Sequence, residues 1–154
     1  MIRPASPLDA AAICAIYNPF VAASTVSFEE QAVTPEQMAE RIAQVGATLP
    51  WLVMEVDGAL AGYAYATPWR VRPAYRRSVE TSVYLAPAHT GKGVATALYG
   101  ALLEELRARG IHAVIAGIAQ PNPASVALHE RLGFRKVAHF SEVGFKLGRC
   151  EAAR

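Results

Sequence analysis

One segment limits the possible folds of this chain more than any other. Val79 to Leu85 is rich in β-branched and aromatic residues, and after Pro87 comes His89-Thr90-Gly91-Lys92-Gly93-Val94-Ala95. The apolar stripe Ala95, Leu98, Leu102 and Leu106 then predicts a helix from about Val94 to Arg109, stopped by Gly110, and Ala113 to Ile118 is apolar again. Strand, glycine turn, helix and strand make a crossover. It demands two parallel strands in one sheet, joined right-handedly.

The preceding strands must join the same sheet differently. Trp51 to Val56 and Leu60 to Ala66 flank Asp57-Gly58, a strong two-residue hairpin signal, so this pair is antiparallel. Ile2 and Arg3 suggest a short edge strand. Ser6-Pro7 and Thr34-Pro35-Glu36-Gln37 start two helices with a capping residue followed by proline. Asn18 to Val33 reads as an irregular polar-aromatic stretch. Near the end, a short helix from about Ser125 to Leu132 is closed by Gly133, and Arg135 to Glu142 reads as a strand. The order β-α-α-β-β-β-α-β-α-β implies an α/β (α+β) fold: a mixed, mostly antiparallel central sheet with one parallel pair and flanking helices. No repeat or linker divides residues 1–154, which read as one domain.

Composition narrows the function. The chain is 53% hydrophobic and 18% charged, which supplies a core and excludes disorder. Two cysteines, Cys14 and Cys150, cannot staple a disulfide scaffold. A formal net charge of +2, with three lysines, argues against nucleic acid. No apolar run approaches the roughly 20 residues of a membrane helix. The N-terminus lacks a signal-peptide pattern. The expected setting is soluble and cytoplasmic. No His/carboxylate set has metal-ligand spacing, so no metal is expected.

The glycine turn suits an anion. Its backbone can approach phosphate closely, a helix N-terminus offers unpaired N–H groups, and Lys92 adds a charge. It is neither a P-loop nor a dinucleotide fingerprint, and alone it reads equally well as a plain turn. A second cluster follows: Asn122, Ser125, Leu128, His129, Leu132, Gly133 and Phe134.

Together, the element order, the glycine turn and this cluster resemble the GNAT superfamily of acetyl-CoA-dependent N-acetyltransferases. The match is closest to the phosphinothricin and methionine sulfoximine/sulfone acetyltransferase group. Further residues carrying it include Ile16-Tyr17-Asn18, Thr25 to Glu30, Pro50 to Val53, Gly62 to Ala66, Tyr75-Arg76, Val79-Glu80 and Ser82-Val83-Tyr84.

The resemblance implies a splay between the two parallel strands, with the pantetheine arm of acetyl-CoA along Val83, Tyr84 and Leu85. It implies the pyrophosphate on Gly91, Lys92, Gly93, Val94, Ala95 and Thr96, and further cofactor contacts at Asn122 and Ser125. Thr90 stands where the family has Gln or Arg, which removes one side-chain contact. Glu80 matches the general base, working through a water; it also reads as a strand carboxylate paired with Arg76 or Arg77. His129 matches a position near the thiol, as acid or cofactor contact; it also reads as a packed helix residue. The identity of the general acid stays open. Phe28 and Glu29 resemble a lid over the amine. Arg72 and Tyr75, in the loop Arg70 to Arg77, are the implied contacts for an anionic amino acid, since guanidinium binds such oxygens bidentately.

The implied function is acetyl transfer to the α-amine of a small amino acid analogue, by a homodimer. The alternatives are a GNAT acting on a peptide N-terminus or another amine, and a non-catalytic acyl-CoA-binding domain. The subgroup continues beyond Gly148-Arg149 with an apolar strand. The polar Cys150-Glu151-Ala152-Ala153-Arg154 suggests instead that the terminal strand is short or missing and that 149–154 is a frayed tail.

Overall fold

The computed structural model describes residues 1–154. Five strands form the main sheet in the order β1-β2-β3-β4-β5: β1 (Ile2–Pro4), β2 (Trp51–Val56), β3 (Ala59–Pro68), β4 (Ser78–Leu85) and β5 (Ala113–Ile115). All neighbours are antiparallel except β4 and β5. The mixed sheet is the one the sequence predicts. Asp57 and Gly58 both take positive φ in the β2–β3 turn, as the Asp-Gly pair requires.

Helices cover both faces of the sheet. On one face, α1 (Ala10–Ala23) and α2 (Pro35–Gly46) bury Ile13, Val21, Met38 and Ile42 against Val53 and Tyr63. On the other, the stripe Leu98, Leu102 and Leu106 of α3 (Val94–Ala108) packs on Ala61, Ala64, Ala66 and Val79. The small strand residues leave room for leucines, which explains alanine at such buried positions. A capping box at Thr34 and Gln37 starts α2, with bonds of 3.2 and 3.0 Å. A single-turn helix, Pro7–Asp9, precedes α1. There Arg3 pairs with Asp9 at 2.8 Å and Glu55 at 2.5 Å, tying β1, β2 and the helix start together. No helix is long and apolar enough to cross a membrane.

Four expectations need correcting. Helix α1 continues through Pro19 to Ala23, so the irregular stretch is shorter than Asn18 to Val33. The short helix α4 spans Pro123–Arg131 and is capped by Asn122, whose Oδ1 accepts from the Ser125 N–H at 3.1 Å. The strand expected at Arg135 to Glu142 is β6 (Phe140–Lys146). Finally, the tail is not frayed. Arg149–Ala153 forms β7, short but paired antiparallel with β6. Its far edge bonds to the chain after β5: Ile118 and Arg154 exchange two backbone bonds of 2.9 Å, and the Gln120 N–H reaches the Ala152 carbonyl at 2.8 Å. Long-range pairing on both edges makes a strand of residues with weak strand preference.

Candidate active site

The parallel pair β4/β5 holds together only from Ser78↔Ala113 to Glu80↔Ile115. Beyond that the strands part. A narrow cleft of about 50 Å³ opens between Thr81–Tyr84 on one side and Gly117–Ala119 on the other. Val26, Asn122, Ser125 and His129 complete its lining. The structure thus brings together Val83, Tyr84, Asn122, Ser125 and His129, which the sequence scatters over 47 positions. Leu85 does not line the cleft; it packs in the core beside α3.

The glycine turn sits at the end of β4. Gly91 and Gly93 have φ of 73° and 80°, and Gly93 is the residue before α3. A side chain at either would meet nothing within 4 Å, so backbone angle, not crowding, calls for glycine, and the space over the turn is open. Val94, Ala95 and Thr96 open α3, so their N–H groups have no partner within the helix. Lys92 is exposed and Val94 is buried. The hydroxyl of Thr90 turns inward to the Pro87 carbonyl at 2.9 Å. Open glycines, free amides and a lysine fit a phosphate group.

Strand alternation splits β4 into two chemical faces. Glu80, Ser82 and Tyr84 point toward α1 and α2, opposite Thr67, Tyr65 and Tyr63 of β3. Tyr84 packs edge-on against Tyr17, with ring centroids 5.1 Å apart. Glu80 sits where the strands part, and a methyl group on Gly117 would come within 3.2 Å of its Oε1. Burial pushes this carboxyl above the usual carboxylate range. It has no arginine partner: Arg76 bonds to the Pro73 carbonyl and Arg77 to the Gly110 carbonyl. The ion-pair reading of Glu80 is therefore removed.

The opposite face carries a closed chain of hydrogen bonds. Nδ1 of His129 lies 2.7 Å from the Ser125 carbonyl oxygen. A carbonyl only accepts, so Nδ1 holds the proton and Nε2 is the acceptor. The Tyr99 hydroxyl, 3.1 Å away, donates to Nε2. The Thr81 hydroxyl donates to Tyr99 in turn. Burial lowers the His129 pKa, which favours the neutral ring, and it pushes Tyr99 up to about 12. Phe134 stacks edge-on against both rings, at 5.1 and 5.6 Å. This packing accounts for the His-x-x-Leu-Gly-Phe pattern without catalysis. The lone N–H of His129 is committed to Ser125, so the ring has none free to give to a leaving group. Its expected acid role is the reading this geometry disfavours.

The remaining expected residues lie apart. Glu29 accepts two bonds from Arg41, at 3.0 and 2.6 Å, and one from the Tyr17 hydroxyl. The guanidinium holds its carboxyl below the usual range. Phe28 rests on Gly144. Arg72 and Tyr75 lie on an exposed turn outside the cleft, while Arg70 stacks on Trp69 at 5.3 Å. Sequence reasoning missed Thr81, Tyr99, Arg41 and Gly117. Tyr99 alone gave a signal, as a polar-tipped aromatic beside Leu98 on the buried stripe.

Comparison with known proteins agrees with this geometry. Residues 14–134 match the acetyltransferase (GNAT) family model. A phosphinothricin N-acetyltransferase of Streptomyces viridochromogenes is 41% identical over 147 residues, covering 96% of this chain and 80% of that protein. An L-methionine sulfoximine/L-methionine sulfone acetyltransferase of Salmonella typhimurium is 40% identical over 149 residues, covering 96% and 87%. Among solved structures, a phosphinothricin acetyltransferase from Sinorhizobium meliloti in complex with AcCoA superposes with a TM-score of 0.94 at 36% identity, covering 99% and 84%. A ribosomal-protein-alanine N-acetyltransferase from Brucella melitensis gives 0.96 at 36% identity, covering 99% and 95%. With a splayed parallel pair, an open glycine turn and relatives that are themselves N-acetyltransferases, the chain belongs to the GNAT family of acetyltransferases.

Proposed function

We propose that this protein transfers the acetyl group of acetyl-CoA to the α-amine of a small amino acid analogue of the phosphinothricin, methionine sulfoximine or methionine sulfone type. One observation carries the reading: an unpaired, half-buried carboxylate, Glu80, stands at the last paired position of β4 and β5, beside Gly117 of the cleft lining. An attacking amine must lose a proton, and a carboxyl with a raised pKa is a better base than an ordinary one. Glu80 takes that proton through a water, the amine attacks the thioester carbonyl directly, and the tetrahedral adduct collapses by breaking its C–S bond, releasing CoA as a thiolate that takes a proton from solvent. A backbone N–H near Val83 supplies the hydrogen bond that developing negative charge needs. Strand β4 beyond Glu80 pairs with β3 alone, so its open edge offers the pantetheine arm backbone partners. The first amides of α3 with Lys92 hold the pyrophosphate, and Asn122 and Ser125 flank the arm.

On the acceptor side, Phe28 walls the amine, Glu29 anchors that wall, and Arg72 and Tyr75 approach the substrate's acidic end from their loop. His129 fixes the Tyr99 hydroxyl rather than donating a proton itself. Val143 and Phe145 are exposed along β6 and Leu147 in the turn after it, which supports a homodimer joined through this hairpin.

A second reading, acetylation of a peptide N-terminus, is favoured by the likeness to the alanine N-acetyltransferase. The test is thiol release from acetyl-CoA with methionine sulfone, methionine sulfoximine, phosphinothricin, common amino acids and short peptides. The proposal expects turnover with the first three. Turnover confined to peptides selects the second reading, and cofactor binding with no turnover at all makes the protein a binder.

A further inference from the structure

The segment Ser24 to Glu30 crosses from α1 toward α2 and brings Val26 to the cleft. It has little regular structure of its own, so something outside must hold it. Strand β6 does so with two adjacent inward-facing residues. Gly144 is buried, and its φ is not in the left-handed region, so backbone conformation does not call for glycine. Space does: a methyl group there would lie 2.5 Å from Cε2 and 3.0 Å from Cε1 of Phe28. The bare backbone of Gly144 is the floor on which the Phe28 ring rests.

Two residues on, Lys146 is only 2% exposed. Its ammonium has no carboxylate partner within ion-pair distance. It donates instead to the Ser27 carbonyl at 2.6 Å and, more weakly, to the Phe20 carbonyl at 3.4 Å. Taking a charge out of water is costly unless it is hydrogen-bonded, so Lys146 is tied to these two carbonyls. The Ser27 hydroxyl is fixed from the other side by Tyr17 at 2.6 Å.

We propose that Gly144 and Lys146 are positioning residues for the acceptor amine. They seat Phe28 and Ser27 so that the segment bearing Val26 closes over the cleft, and they act on substrate affinity without touching substrate or acetyl-CoA. This rests on the acceptor-side reading given above. It also assigns the C-terminal hairpin a role in the site that its distance in sequence conceals.

The test uses Gly144→Ala, Lys146→Met, Phe28→Ala and the Gly144→Ala/Phe28→Ala double variant. Methionine sulfone is the probe acceptor. Either Gly144→Ala or Lys146→Met is expected to raise the acceptor KM about tenfold or more, the scale of one lost charged hydrogen bond. The acetyl-CoA KM should stay within about twofold. Hydrogen exchange at Val26 to Glu29 should accelerate in both variants. In the Phe28→Ala background, Gly144→Ala should add nothing, because the ring it would strike is gone.

Equal rises in both KM values would overturn the proposal, since the whole site would then have been disturbed. So would an undiminished Gly144→Ala effect in the double variant, which would assign the glycine to the strand itself. Unchanged exchange in the single variants would overturn it as well. If the wild-type protein acetylates no probe, it is the proposed function that fails. The exchange comparison still decides whether Gly144 and Lys146 seat the segment.

Discussion

Strand β4 presents two faces at the same point in the sheet, and they are chemically unlike. On the α3 side, Thr81, Tyr99, His129 and the Ser125 carbonyl form a chain in which every polar atom is used. On the α1 and α2 side, one residue earlier, Glu80 has no protein partner and is held above its usual pKa. A saturated network rigidifies, because any change leaves a buried group unpaired. A carboxylate without a partner costs stability and gains nothing unless a ligand uses it. The contrast separates a residue whose polar atoms are all spent within the protein from one whose carboxylate is not, although the sequence offered both as candidates.

The sharpest way to break that contrast is Glu80→Gln. It should lower turnover about 100-fold or more, the usual range for a lost general base, with acetyl-CoA affinity unchanged by calorimetry. The pH profile should change with it. A raised pKa means wild-type activity climbs through a pH range above that of an ordinary carboxylate, as Glu80 loses its proton; this acid limb should vanish in the variant. An unaltered profile would take Glu80 out of the chemistry.

Tyr99→Phe probes the other face. It strips the donor from His129 Nε2 and the acceptor from Thr81, and should cost about 1–3 kcal/mol in denaturant unfolding. Turnover should fall far less than in Glu80→Gln. A comparable fall, with loss of an alkaline limb, would make the network a proton path and restore His129 as part of the acid.

The smallest effect is expected from Arg72→Ala. Its turn is exposed and outside the cleft, so the acceptor KM should rise only several-fold, on the scale of an exposed charge contact of up to about 1 kcal/mol. Stability should not change. A much larger effect would mean that the loop folds over bound substrate.

What could be read in the sequence was local. The capping box at Thr34, the Asp-Gly turn, the α3 stripe and the glycine turn each depend on residues a few positions apart, and each appears where expected. The misplaced elements depend on distant partners. Helix α1 passes Pro19 because Tyr17 and Phe20 have Tyr84 to pack against. Strand β7 exists because β6 and the 118–120 segment pair with it. The site followed the same rule. Val83 and Asn122, which line the cleft, stand in recognisable motifs, whereas Arg41 beneath Glu29 and Lys146 beneath Ser27 meet their partners only after folding. That Glu80 stands unpaired was not legible either, because Arg76 and Arg77 are near in sequence but spend their donors elsewhere.

The change of partner after Ile115 bears on solubility. A sheet that must offer backbone to a ligand needs an open edge, and open edges recruit other chains into aggregates. Here the edge of β4 beyond Glu80 lies inside the molecule, facing Gly117 to Ala119 across a narrow cleft. The departing strand is itself sealed by β7 through Ile118 and Gln120. A thin, flexible arm can enter such a slot, but a second β-sheet cannot. The fold leaves one strand edge unpaired while denying it to neighbouring proteins.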